Sequence, residues 1–193
     1  MTRAPAPDLF RETLLPQGFL YEPEFLAAGE EQSLLAALAS LEFVPAKFQQ
    51  YTARRRVVTY GASYDYGAHA LAEAPPVPLF LQPLRAKVAA WIGLPARALA
   101  YALINEYQPG TPLGWHRDRG EFEVVAGVSL GGPARMRLRR YPPRKGDKSM
   151  TLDLEPRSAY VMRGEARWGW QHSIPPTPGL RYSITFRTAR TAS

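Results

Sequence analysis

LAYALINEYQPGTPLGWHRDRG, residues 99–120, changes the period of the chain and so decides its fold. From Leu99 to Tyr107 apolar and polar residues alternate, the pattern of a half-buried strand, and the Pro- and Gly-rich QPGTPLG that follows breaks it. The same rhythm recurs downstream in EVVAGVSL, RMRLRR, SMTLDLE, SAYVM and RYSITFR, parted by LGGPA, YPPRKGDK and PTPGL. Short alternating strands with Gly/Pro turns over residues 99–188 predict an antiparallel sandwich or roll. The class is α+β, mainly β.

Upstream the spacing is helical. In EPEFLAAGEEQSLLAALASLEF, Leu34, Leu35, Leu38 and Leu41 fall on one helix face, with Glu22 and Glu24 where a helix start favours negative charge. Leu84, Val88, Trp91 and Ile92 predict a second helix, ended near Gly93 and Pro95. Residues 1–17 read as an extended lead-in, and the 193 residues as one domain.

Composition narrows the chemistry. Cysteine is absent, which excludes disulfides, thiolate metal sites and a cysteine nucleophile. Any metal must be held by nitrogen and oxygen. Lys and Arg exceed Asp and Glu by 24 − 17 = 7, which favours polyanionic partners. The N-terminus lacks a signal-like apolar core and no run is long enough to span a bilayer, so a soluble, cytoplasmic, monomeric protein is expected.

Three histidines are present, and one stands two places before an acid in GWHRDRG. On an extended segment i and i+2 point the same way, so His116 and Asp118 can aim an imidazole and a carboxylate at one point. For a third ligand His172, after the aromatic RWGWQ, is a better candidate than His69 in a polar loop. Two imidazoles and a carboxylate suit a non-heme Fe(II) with open positions, although zinc would bind the same atoms. The alternative is a His116–Asp118 pair with a structural role alone.

RYSITFR adds a second demand. Arg181, Ser183, Thr185 and Arg187 share one face of a strand, while Tyr182, Ile184 and Phe186 share the other. Guanidinium groups turned inward need an anion, and a small dicarboxylate beside the metal would satisfy them. Asn105 and Tyr107, also on one face, can hydrogen-bond the same molecule.

Together, NEYQPGTPLGWHRDR, HSI and RYSITFR resemble the AlkB family of Fe(II)- and 2-oxoglutarate-dependent dioxygenases, with weaker likeness in ARRRVVTYGASYDYG. The resemblance implies a double-stranded β-helix, or jelly roll, over residues 99–188, with N-terminal helices packed outside it and a substrate lid within residues 18–98. It implies iron on His116, Asp118 and His172. Arg181 would take the distal carboxylate of 2-oxoglutarate, with Asn105, Tyr107, Arg187 and Ser183 around it.

The implied reaction consumes dioxygen, turns 2-oxoglutarate into succinate and carbon dioxide, and hydroxylates a C–H bond. On an N-methyl group this amounts to demethylation, and hence DNA repair or RNA demethylation. Ser183 stands where the family usually has asparagine. Gly120 stands where several repair members carry an acidic residue that reads the base.

A base must be extruded or single-stranded to be oxidised. Arg54, Arg55 and Arg56 offer a cationic track, and Tyr60, Tyr64 and Tyr66 either stack the base or pack under a loop. Arg135, Arg137 and Arg139 form a cationic row that either meets phosphate or is a solvated sheet face. Trp115, Trp168 and Trp170 read as core or pocket walls. Bases of DNA or RNA are the expected substrate. Hydroxylation of a tRNA base, demethylation of a protein lysine, and a catalytically inactive nucleic-acid-binding module of the same fold are the alternatives.

Overall fold

A computed structural model describes residues 15–48, 51–65 and 70–190. Alternation builds most of it. The elements in chain order are β1 (Phe19–Glu22), α1 (Ala28–Leu38), β2 (Val44–Phe48), β3 (Tyr51–Tyr60), β4 (Ala62–Asp65), β5 (Ala70–Glu73), α2 (Gln82–Ile92), β6 (Tyr101–Tyr107) and β7 (Leu113–His116). They continue with β8 (Phe122–Gly131), β9 (Ala134–Arg140), β10 (Met150–Leu154), β11 (Ala159–Met162), a single turn of helix α3 (Glu165–Trp168), β12 (Trp170–Ile174) and β13 (Arg181–Ala189).

The strands form a major sheet in the order β1-β11-β8-β13-β6-β3-β2, a minor sheet β10-β9-β12-β7, and the hairpin β4-β5. β13 lies between β8 and β6, with Ser183 opposite both Ser129 and Asn105. Residues in register share a face. The period-two pattern therefore sorts the major sheet's side chains into two layers.

Ala102, Ile104, Val128, Leu130, Ile184 and Phe186 point to one side and meet Leu34 and Leu38 of α1 and Leu84, Val88 and Ile92 of α2. Both helices are thereby fixed outside the jelly roll, as the resemblance implies. Between the sheets, Val125, Met136, Leu138, Leu154, Met162, Trp170 and Ile174 close one end with an apolar cluster. The polar members of the inner face, Asn105, Ser129, Arg181, Ser183 and Thr185, are buried beyond it.

α2 ends as its sequence predicts, on Gly93 with φ 73°, a left-handed cap that glycine adopts without the Cβ penalty. α1 begins later than expected. Glu22 closes β1 and Glu24 precedes the helix, and the acids in the first turn are Glu30 and Glu31. Glu30 accepts from the Ala27 amide at 2.8 Å, so a capping contact sets the start.

The sheet also extends upstream of residue 99. β3 pairs with β6, Arg56 opposite Glu106 and Tyr60 opposite Ala102, and β1 pairs with β11. ARRRVVTY is thus part of the major sheet, and the jelly roll is not confined to residues 99–188. Its arginines mask the alternation that would have marked it as a strand. Among the described residues no helix is long and apolar enough to cross a membrane.

Candidate active site

β7 and β12 are antiparallel neighbours with His116 directly opposite His172. Directly paired residues share a face, so the two rings meet, with centroids 4.2 Å apart. Asp118 Oδ2 lies 3.8 Å from His172 Nε2. One ligand atom from each of the three residues falls within 4.8 Å of the others. His116 Nδ1 sits 2.9 Å from the Gly114 carbonyl, which assigns the proton to Nδ1 and leaves the Nε2 lone pair for a metal.

β7 stops at His116, and Asp118 follows two residues on, in a segment outside the ladder, with its carboxylate at the same point as the imidazole. Two arginines hold that segment. Arg187 donates to Asp118 Oδ1 through Nε at 2.9 Å and Nη2 at 2.7 Å. Buried Arg167 donates from Nη2 to the carbonyls of Asp118, Arg119 and Phe122.

The electrostatics follow from this packing. Burial alone would raise the Asp118 pKa, but Arg187 and the two histidines outweigh it and hold the carboxyl well below its usual range. Burial, helped by His116 and opposed by Asp118, pushes His172 down to about 3. His116 is lowered as well, again mainly by desolvation. Two neutral imidazoles and a carboxylate are the protonation states a divalent metal requires.

A cavity of about 1510 Å³ runs from this cluster along the inner face of the major sheet to the surface. Arg181 lines it and is 1% exposed. Its Nε donates to Ser129 Oγ at 3.1 Å, its guanidinium carbon lies 5.0 Å from the Tyr107 ring centre, and Nη1 meets no partner among the described residues. Asn105 Oδ1 is likewise buried without a partner among the described residues. Unpaired buried polar atoms are costly, so this wall fits an anionic, hydrogen-bonding guest. Nitrogen and oxygen donors at one end and an unspent guanidinium at the other suit iron with a 2-oxo diacid.

Tyr107 and Ser183 sit on the same wall, both buried. Arg187 lies at the metal end of the same strand face, where two of its nitrogens meet the Asp118 carboxylate.

The proposed substrate residues divide. Arg56 is paired through Nε at 2.7 Å and Nη2 at 2.9 Å to Glu106, so it ties β3 to β6. Tyr60 packs among the helix-side apolar residues and burial raises its pKa, which corrects the stacking role. Arg54 and Arg55 line the cavity, and Arg55 Nε is buried without a partner among the described residues. Tyr64 has only its backbone described, in β4, while Tyr66 and His69 lie outside the described residues. Gly120 is exposed at a turn with open space around its Cα.

Three contributors have no sequence signal. Ser129 reads as one polar place in a core strand. Tyr160 lines the cavity, its pKa raised by burial and then by the Asp118 charge. A Cβ at Gly127 would collide with its ring, so this close approach needs glycine. Arg167 carries no pattern at all, because its partners are carbonyls.

The family described as the 2OG-Fe(II) oxygenase superfamily matches residues 18–187. An Arabidopsis thaliana protein named "Alkylated DNA repair protein ALKBH8 homolog" is 31% identical over 181 residues, covering 82% of this chain and 51% of its own. "Alpha-ketoglutarate-dependent dioxygenase AlkB" of Escherichia coli strain K12 is 33% identical over 129 residues, 60% of this chain and 57% of its own. The chain thus spans little more than half the length of these relatives. Among solved structures, that of OsALKBH1 superposes with a TM-score of 0.70 at 17% identity, covering 90% of this chain and 98% of that one, a likeness of fold.

Proposed function

Because the chain belongs to the 2OG-Fe(II) oxygenase superfamily and is AlkB-like, we propose that it oxidatively removes alkyl groups, methyl above all, from bases of RNA or DNA. One observation carries the reading: His116, Asp118 and His172 converge in a surface-open cavity whose inner wall holds Arg181 with an unspent guanidinium nitrogen. Nucleic acid as the substrate draws support from what the Arabidopsis relative is named for and from the excess of seven positive charges. A cytoplasmic, monomeric enzyme is part of the same proposal.

Iron(II) with 2-oxoglutarate supplies the oxidation when bound: dioxygen is consumed, succinate and carbon dioxide leave, and a substrate C–H bond gains a hydroxyl. The chain's own residues do the placing. His116, Asp118 and His172 would hold the metal through two imidazole nitrogens and a carboxylate oxygen. Arg181, fixed by Ser129 and the Tyr107 ring, would receive the distal carboxylate. Asn105, Tyr107 and Ser183 would flank it. Arg187 keeps Asp118 ionised and aimed, and Arg167 keeps the loop that bears it from moving. Tyr160 and Phe122 wall the cavity and limit water there. Arg54 and Arg55 would meet the substrate at the mouth.

The test incubates the protein with Fe(II), ascorbate and 2-oxoglutarate and with panels of methylated DNA, RNA and peptide, following succinate and product mass. Succinate with loss of methyl from a nucleic acid is expected. Gain of one oxygen without methyl loss would reassign the enzyme to base hydroxylation. Turnover on peptide alone would make it a protein demethylase. No succinate with any substrate would leave only a binding module.

A further inference from the structure

The minor sheet has two faces with different chemistry. Met136 and Leu138 of β9 point inward to the apolar cluster, so Arg135, Arg137 and Arg139 point outward. On β7, His116 faces the metal site, and Trp115 takes the opposite side. Arg137 and Arg139 reach across β12 to Trp115, their guanidinium carbons 5.0 and 4.2 Å from its ring centre. Arg137 Nε also donates to Ser173 Oγ at 3.0 Å. Next to Trp115, Arg117 lies 3.6 Å from the ring centre of half-exposed Tyr141 and donates to the Trp168 carbonyl at 3.2 Å.

These three arginines differ from their neighbour Arg135. That residue is exposed and paired with Asp153 at 3.1 Å, an ordinary solvated cross-strand pair. Among the described residues, Arg117, Arg137 and Arg139 have no carboxylate within ion-pair distance. Their partners are rings, a hydroxyl and a carbonyl, which orient a guanidinium without neutralising it. A charged row that serves only solubility needs no such bracing. Trp115 and Arg117 also line the cavity, so the platform runs to the mouth of the site.

We propose that this outer face, formed by Trp115 and Arg117 with Arg137 and Arg139 laid over the buried Ser173, is the track for the phosphate backbone of a single-stranded nucleic acid whose target base enters the cavity. Oriented, unneutralised guanidinium groups interleaved with aromatic rings match phosphates alternating with bases, which an acidic peptide does not present. Phosphate contacts position the strand and leave the choice of base to the pocket. The inference rests on the nucleic-acid reading above and deepens it.

The experiment compares the full chain with its R137Q/R139Q variant. Anisotropy of a labelled, unmethylated single-stranded RNA is followed over a KCl series, with poly-glutamate as the competing polyanion. Two lost phosphate contacts should weaken binding about tenfold and make the slope of log Kd against log[salt] shallower by about 1.4. KM for a methylated oligonucleotide should rise in parallel, with kcat unchanged and turnover of a methylated mononucleoside unchanged. Wild-type affinity and slope in the variant would overturn the proposal, as would poly-glutamate competing as well as RNA.

Should the glutamine variant fail to fold, R137K/R139K carries the test. It should keep the salt slope and lose affinity several-fold with the fork geometry, and unaltered affinity would overturn the track. The two readings fail separately: methyl removal from no nucleic acid sinks the proposed reaction and leaves the anisotropy result standing, and the reverse outcome sinks only the track.

Discussion

The two ends of the polar row on β13 carry the same residue type on the same face, and they do opposite things. Arg187 meets a carboxylate of its own chain, Asp118, with two nitrogens. Arg181, six residues earlier and more deeply enclosed, meets a hydroxyl and a ring and, among the described residues, keeps Nη1 unspent. The difference is whether the fold brings an anion within reach. Where it does, the arginine becomes part of the metal site's scaffold; where it does not, the burial penalty is left for a guest to relieve.

The strongest way to break this contrast is Asp118→Ala. Succinate formation should fall to background and Mn(II) affinity should be lost in a metal titration. The stranded Arg187 should also cost about 3–5 kcal/mol of stability by urea unfolding. Retained Mn(II) binding would mean the cluster is not the metal site.

Arg181→Gln should raise the 2-oxoglutarate concentration needed for half-maximal turnover by about 100-fold, the loss of a charge-assisted contact, with Mn(II) affinity unchanged. Arg187→Gln should invert that profile, weakening metal binding by about 10–100-fold while 2-oxoglutarate dependence stays close to wild type. Identical profiles for the two variants would erase the distinction.

Ser129→Ala sharpens it further: losing one hydrogen bond to Arg181, worth about 1 kcal/mol, predicts about a fivefold rise in the 2-oxoglutarate requirement. Acid dependence probes the metal end of the same contrast. His172 sits near 3 in the fold against 6.5 when exposed, so the unfolded chain takes up the proton first as pH falls. Stability of the metal-free protein should be intact above pH 6.5 and decline toward pH 3, by roughly 1 kcal/mol per pH unit for this group. A urea midpoint that does not move between pH 7 and 5 would contradict the buried, neutral imidazole.

Much of this was legible in the sequence, because alternation is a local property. The face on which Arg181, Ser183 and Arg187 lie, the pairing of Asn105 with Tyr107, and the end of α2 at Gly93 each follow from residues a few places apart. What escaped the reading depends on strands distant in sequence. Tyr60 and Arg56 looked like lid residues until β3 was seen against β6, where the opposing residues are Ala102 and Glu106. Ser129 acquires its role only because β8 flanks β13.

The sequence by itself determined which side chains share a face, which ligands are available and that no thiolate is among them, since backbone geometry and composition impose these before any long-range contact forms. Only the tertiary structure decided which of those side chains find a partner. Strand order set His172 opposite His116, gave Arg187 its carboxylate and denied one to Arg181. Charge and hydrogen bonding act over a few ångströms, and the neighbours that close are chosen by the folded sheets, not by the chain's local order.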